Sequence, residues 1–216
     1  MGTVSSLERH RADRLRREAV AHGPCVRATL FFDIASPFTY LAAERVERLL
    51  PGLDWRPACA AALHCGEMSG DGAWAAVVAR ARLLRLPLVW SEERQPYAAP
   101  GAMRAASLAV ERGCVGAFVL AASRLAFCGG FDLDDPEILA EAAAAAGMGL
   151  RETLDAARDT RRDGPIEDAG RLLLAAGATR LPVLRVGRTL FCGEERLPEA
   201  AAARVAYDAR AAQAVL

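Results

Sequence analysis

An α/β fold in two halves, parted by a long helical block, is what this 216-residue sequence predicts. Three observations lead there. Strand-like apolar runs occur near residues 28–58 and again near 182–192. Between them, from about 59 to 178, Ala-, Leu- and Arg-rich segments alternate with Gly and Pro, the pattern of successive helices. Each strand region also carries one helix-like stretch of its own.

The first half reads strand, helix, strand. Residues 29–34 form the first strand, 40–50 the helix and 53–57 the second strand, entered through Pro51-Gly52. In the helix Tyr40, Ala43, Val46 and Leu50 fall near one face, while Glu44, Arg45, Glu47 and Arg48 are mostly solvated. Two strands joined by a helix predict a parallel βαβ unit.

Helices are predicted over 73–85, 101–112, 115–127, 135–146, 150–160 and 165–176. Asp134-Asp135-Pro136-Glu137 carries the acid-then-proline pattern of a helix start, and Gly147 and Gly177 mark helix ends. Strands return at 182–186 and 189–192, joined by Gly187-Arg188 as a tight hairpin, before a last helix ending near 212. The order βαβ, helical block, ββα is that of a thioredoxin-like fold with an all-helical domain inserted between its halves. The expected division is 1–27 as an N-terminal extension, 28–58 with 179–216 as the thioredoxin-like domain, and 59–178 as the helical insertion.

Composition narrows the function. Basic and acidic residues number 27 each, so there is no basic surplus of the kind nucleic acid binding needs. Every one of the basic residues is arginine, which excludes Schiff-base lysine chemistry. Hydrophobic residues make up 53%, enough for a sizeable core, yet no apolar run is long enough to span a membrane. Residues 7–18 are densely charged and lack the apolar centre of a signal peptide, so a cytoplasmic protein is expected. The six cysteines form no C-x-x-C pair and no zinc-ligand spacing, which predicts reduced, mostly buried thiols and no metal. His64-Cys65, His10 and His22 do not alter that expectation.

Three places carry chemistry. Ser36-Pro37-Phe38-Thr39 joins the first strand to the first helix. Ser36 fits the N-cap and Pro37 the first turn. The pair reads either as an ordinary cap or as a site where a helix N-terminus favours an anion such as a thiolate. In a thioredoxin-like fold this position normally holds C-x-x-C. Here hydroxyls replace both sulfurs, so dithiol exchange cannot occur there, but an external thiol could take the vacated place and Ser36 could hydrogen-bond its sulfur. Leu181-Pro182 opens the third strand and reads either as a cis proline that exposes the Leu181 backbone to a peptide-like ligand or as a trans strand-entry proline. Glu194-Glu195, before the last helix, reads either as a surface acidic pair or as a grip for an ammonium group.

Together these motifs resemble the 2-hydroxychromene-2-carboxylate isomerases and the related kappa-class glutathione transferases, of the DsbA-like branch of thioredoxin folds. The resemblance rests on Phe32-Asp33-Ile34-Ala35-Ser36-Pro37-Phe38-Thr39-Tyr40, Ala102-Met103-Arg104-Ala105, Asp132-Leu133-Asp134-Asp135-Pro136-Glu137, Leu181-Pro182 and Phe191-Cys192-Gly193-Glu194-Glu195-Arg196-Leu197. It implies glutathione or another small thiol as cofactor, with Ser36 as the catalytic residue holding its sulfur. Leu181 and Pro182 would flank the cysteinyl part, Glu194 and Glu195 would lie near the γ-glutamyl end, and Phe38 would contact an aromatic substrate. It also implies a homodimer. The family usually has serine or asparagine then aspartate where Glu194-Glu195 stands, so Glu194 adds a negative charge near the ligand's α-carboxylate unless an arginine intervenes. Where the isomerases carry an asparagine and, beyond it, a lysine, this chain has Ala58-Cys59-Ala60 and no lysine. Trp74, Trp90 and Tyr97 are candidates either for a pocket wall or for core and interface aromatics.

Overall fold

The computed structural model describes residues 27–63, 71–89 and 98–213. The expectations for the N-terminal extension, His64-Cys65, Trp90 and Tyr97 lie outside these residues.

A four-stranded sheet has the order β2-β1-β3-β4. Strand β1 (Ala28–Phe32) is central and buried along its whole length, which its sequence, apolar but for Thr29, anticipates. β2 (Asp54–Pro57) pairs with it in parallel, Phe32 opposite Pro57. Its proline is tolerated because β2 is an edge strand. β3 (Val183–Val186) runs antiparallel to β1 with Phe31 opposite Val183, and β4 (Thr189–Cys192) antiparallel to β3 with Val183 opposite Cys192. The first strand stops two residues short of the predicted end. The Asp33 carbonyl accepts from the Ser36 N–H at 3.0 Å and its side chain from the Ala35 N–H at 3.0 Å, so the chain turns out of the ladder there.

Alternation along the strands sorts side chains onto two faces. On one face Leu30, Phe32, Leu184, Val186 and Phe191 pack with α1 (Pro37–Leu49) and α8 (Leu197–Gln213). That core continues into helices α2 (Asp71–Leu84), α3 (Pro100–Glu111), α4 (Val115–Phe127), α5 (Pro136–Ala145) and α6 (Leu150–Arg158), through fully buried Phe118, Phe127 and Leu133. Tyr40 of α1 stacks on Phe127 at 5.8 Å between ring centroids. Its hydroxyl donates to the Pro87 carbonyl at 2.8 Å and accepts from the Cys128 thiol at 3.3 Å. Asp135 caps α5, accepting from the Glu137 N–H at 2.8 Å, as the acid-then-proline pattern predicts. Gly147 and Gly177 follow α5 and α7 with φ of 72° and 84°.

On the other face Phe31, Ala58, Leu63, Leu181 and Val183 pack with Ala169 and Leu173 of α7 (Asp163–Ala175). Thus α7, although it falls within the 59–178 segment, covers the sheet itself. The Arg104 guanidinium forks onto Asp163 with two bonds of 2.7 Å and donates to the Ala157 carbonyl at 3.1 Å, tying α3 to the end of α6 and the start of α7.

Gly170 lets α7 sit close against the short 3₁₀ turn Ala60–Leu63. A Cβ there would lie 2.7 Å from both the Ala62 Cβ and the Cys59 carbonyl oxygen. Alanine for glycine ordinarily stabilises a helix interior by about 1 kcal/mol. Here the sign should reverse: Gly170→Ala is expected to destabilise by roughly 1–3 kcal/mol, the range for overpacking. Gly164→Ala in the same helix meets nothing within 4 Å and should not. Urea unfolding of the two variants checks the contrast.

Candidate active site

The sheet register decides what can meet. β1 ends where β3 begins and β4 ends, so the segments after Phe32, before Val183 and after Cys192 emerge at one end of the sheet. Those segments hold Ser36 with Phe38, Leu181 with Pro182, and Glu194 with Glu195. The Gly193 N–H donates to the Pro182 carbonyl at 2.8 Å, joining the second segment to the third. Leu181-Pro182 is a cis peptide, the first of the two conformations considered for it. Leu181 is buried at 5% exposure.

Ser36 occupies the N-cap position of α1, and its carbonyl accepts from the Thr39 N–H at 2.9 Å. Its hydroxyl, however, makes no capping bond and has no hydrogen-bond partner among the described residues. Of the two readings of Ser36, the ordinary side-chain cap is the one the structure does not show. Backbone turn bonds and Pro37 start the helix, leaving a half-buried hydroxyl uncommitted at its positive end. Three residues on, the Thr39 Oγ1 is fully buried with no partner among the described residues. Phe38 is half-buried in the first turn and packs at the margin of the main core.

The sequence places Asp33 in a strand and motif, and its role emerges only in three dimensions. One carboxylate oxygen accepts from the Ala35 N–H and the other from the Ala60 N–H, both at 3.0 Å, so it pins the turn before Ser36 to the chain leaving β2. Burial raises its pKa above the ordinary aspartate value, partly offset by the two N–H donors from Ala60 and Ala35. From the helical side, the Met103 sulfur accepts the Ile34 N–H at 3.2 Å. The turn is therefore fixed by β2's exit and by α3.

Glu194 is 1% exposed. Arg45 of α1 donates to its Oε2 at 2.8 Å, and Arg80 of α2 donates to both oxygens. The carboxylate is thus turned inwards and held by two helices, and the arginines offset the negative charge that the sequence places here. Its place is that of an anchor for the loop after β4, with no carboxylate surface left for a ligand. Arg45, read from the sequence as a solvated helix residue, is 16% exposed for the same reason. Glu195 points outward and pairs with Arg180, both partly exposed. Ala58 is fully buried, and the Cys59 N–H goes to the Ile166 carbonyl at 3.3 Å. That segment therefore contributes backbone ties and an apolar side chain beside the turn.

Two outcomes follow from this electrostatics. Glu194→Ala leaves two largely buried guanidinium groups without their carboxylate, and unfolding in urea at neutral pH should show a loss of roughly 3–5 kcal/mol. Asp33 favours the neutral acid in the folded state, so its contribution is fully present below the ordinary aspartate pKa and is lost as pH rises through the raised one. The stability of wild type relative to Asp33→Asn should accordingly fall as pH climbs above the ordinary aspartate range, then level off. A flat difference across that range would show that Asp33 titrates normally.

No family model and no curated protein matches the sequence. Among solved structures, a 2-hydroxychromene-2-carboxylate isomerase superposes with TM-score 0.66 at 18% identity, covering 83% of this chain and 95% of that one. A probable DsbA oxidoreductase from Streptomyces coelicolor gives TM-score 0.64 at 21% identity, over 84% of this chain and 90% of the other. The cytosolic disulfide reductase DsbM from Pseudomonas aeruginosa, solved with GSH, gives 0.60 at 18% identity, over 86% and 98%. Sheet order, the cis proline before β3, the helical block and these three likenesses converge on one conclusion: the chain has the DsbA-like thioredoxin fold.

Proposed function

We propose that this protein is a thiol-dependent isomerase of 2-hydroxychromene-2-carboxylate-like aromatic compounds, using glutathione or a similar small thiol. The observation that carries the reading is the Ser36 hydroxyl, uncommitted at the N-terminus of α1 in the position where a thioredoxin-like fold normally holds a cysteine. The absence of cysteine from Ser36-Pro37-Phe38-Thr39 argues against disulfide exchange at this place. A likeness to an isomerase and to a reductase solved with GSH supports the choice of reaction and cofactor.

The residues fit a small thiol. A free hydroxyl beside the α1 N-terminus suits a sulfur that must be held as the thiolate, since both the donated hydrogen bond and the helix end favour the anion. Bound there, the thiol supplies the nucleophilic sulfur that allows rotation about a conjugated double bond. The chain's own contribution is to orient and ionise. Ser36 donates to the sulfur. The Leu181 and Pro182 backbone flanks the peptide-like part of the thiol. Glu195, a partly exposed carboxylate whose arginine partner is also exposed, is available to an ammonium group. Glu194 holds the loop that presents it, through Arg45 and Arg80. Phe38, half-buried beside Ser36, offers an apolar surface to an aromatic substrate. A homodimer and a cytoplasmic location accord with this reading.

The test is the absorbance change of 2-hydroxychromene-2-carboxylate with purified protein, with and without glutathione. Conversion should require the thiol, and Ser36→Ala should lower the rate by roughly 10²-fold, the scale for removing one preorganised donor. Absence of conversion by the folded protein with glutathione would reject this substrate and thiol together. Undiminished conversion by Ser36→Ala would reject the role of Ser36.

A further inference from the structure

A second groove on the molecule plays no part in the isomerase reading. Along the outer edge of the sheet, on the face covered by α7, an open groove of about 770 Å³ is lined by Thr179, Arg180, Arg188, Leu190, Cys192 and Arg196 together with the end of α7. Ser36, Phe38, Pro182 and Glu194 are not among its walls. The alternation of β4 explains the arrangement. Phe191 turns to the main core, so Leu190 and Cys192 fall on the opposite face, with Arg188 from the hairpin turn in step with them.

Among the described residues the lining contains three arginines and no carboxylate. Arg188 has no ion-pair or hydrogen-bond partner among the described residues. Arg180 and Arg196 are paired, with Glu195 and Glu199, but all four side chains are between 38% and 58% exposed. Exposed pairs of that kind contribute little and exchange readily for a better-placed anion. Guanidinium groups form planar forks that suit carboxylate and phosphate oxygens, and three from separate segments suit a molecule with more than one such group. Of the carbonyls at the end of α7, those of Leu174 and Leu173 are turned to the Gly177 and Ala178 N–H groups, at 2.9 Å each.

We infer that this groove is a binding site for a small organic polyanion, a molecule carrying two or more carboxylate or phosphate groups. Cys192, half-buried in its wall, reports on occupancy. The experiment follows alkylation of Cys192 in the full-length protein by peptide mass spectrometry, with citrate or inorganic pyrophosphate titrated at ionic strength matched by chloride. Cys59, Cys114 and Cys128 serve as references in the same molecule. At least one of the two probes should slow alkylation of Cys192 alone, and which one does so distinguishes polycarboxylate from phosphate. Arg188→Ala removes an exposed, unpaired side chain and should raise the concentration needed for protection about tenfold. Protection should persist in Ser36→Ala, which separates this site from the proposed catalytic one. No protection by either probe, or protection unchanged in Arg188→Ala, would overturn the assignment.

Discussion

The buried carboxylate of Glu194 joins three parts of the chain that are far apart in sequence. It lies just after β4, while its two arginine partners come from α1 and from α2, 149 and 114 residues away. A carboxylate at 1% exposure is unfavourable unless fully paired, and the two guanidinium groups provide both charge and donors. The consequence is positional. The loop carrying Glu195 is held against α1, the helix whose N-terminus carries Ser36, and α2 is held against both. The candidate site is shaped by an ion cluster that does not itself face the ligand.

The same logic applies to the turn before Ser36. Asp33 uses one oxygen on its own turn and the other on the exit from β2, and Met103 receives the Ile34 N–H from the opposite side. With these contacts starting the helix and fixing its approach, the Ser36 side chain is released from capping. A hydroxyl that satisfied the helix would be unavailable to a thiol. This division of labour, in which backbone and neighbours hold the turn and the serine is left free, is the structural basis for reading Ser36 as chemical rather than architectural.

The element order, and most boundaries to within two residues, were legible because the signals are local. The strand pairs β1–β2 and β3–β4 follow from apolar runs bounded by turn residues, and the helices from Ala/Leu-rich stretches ended by glycine or begun by Asp135-Pro136. Local signals failed where a long-range contact took over. The first strand ends early because Asp33 turns the chain. Arg45 looked solvated by its place on the helix, yet it is 16% exposed because a carboxylate 149 residues away draws it in. Glu194 looked like a ligand grip for the complementary reason. The helix α7 read as part of an inserted block, although Ala169 and Leu173 pack on the sheet.

What this sequence determined by itself is the list of elements, their order, and the chemical identity of the loop at the head of α1, where hydroxyls stand in place of sulfurs. Those follow from propensity, periodicity and residue type, which act over a few residues. Only the tertiary structure decided which charges are structural and which are free. It set Glu194 against Arg45 and Arg80, left Glu195 outward, freed the Ser36 hydroxyl and gathered three arginines beside β4. The physical reason is that burial and pairing of a charge depend on neighbours brought together by the fold, and nothing in the local sequence of either partner records the distance between them.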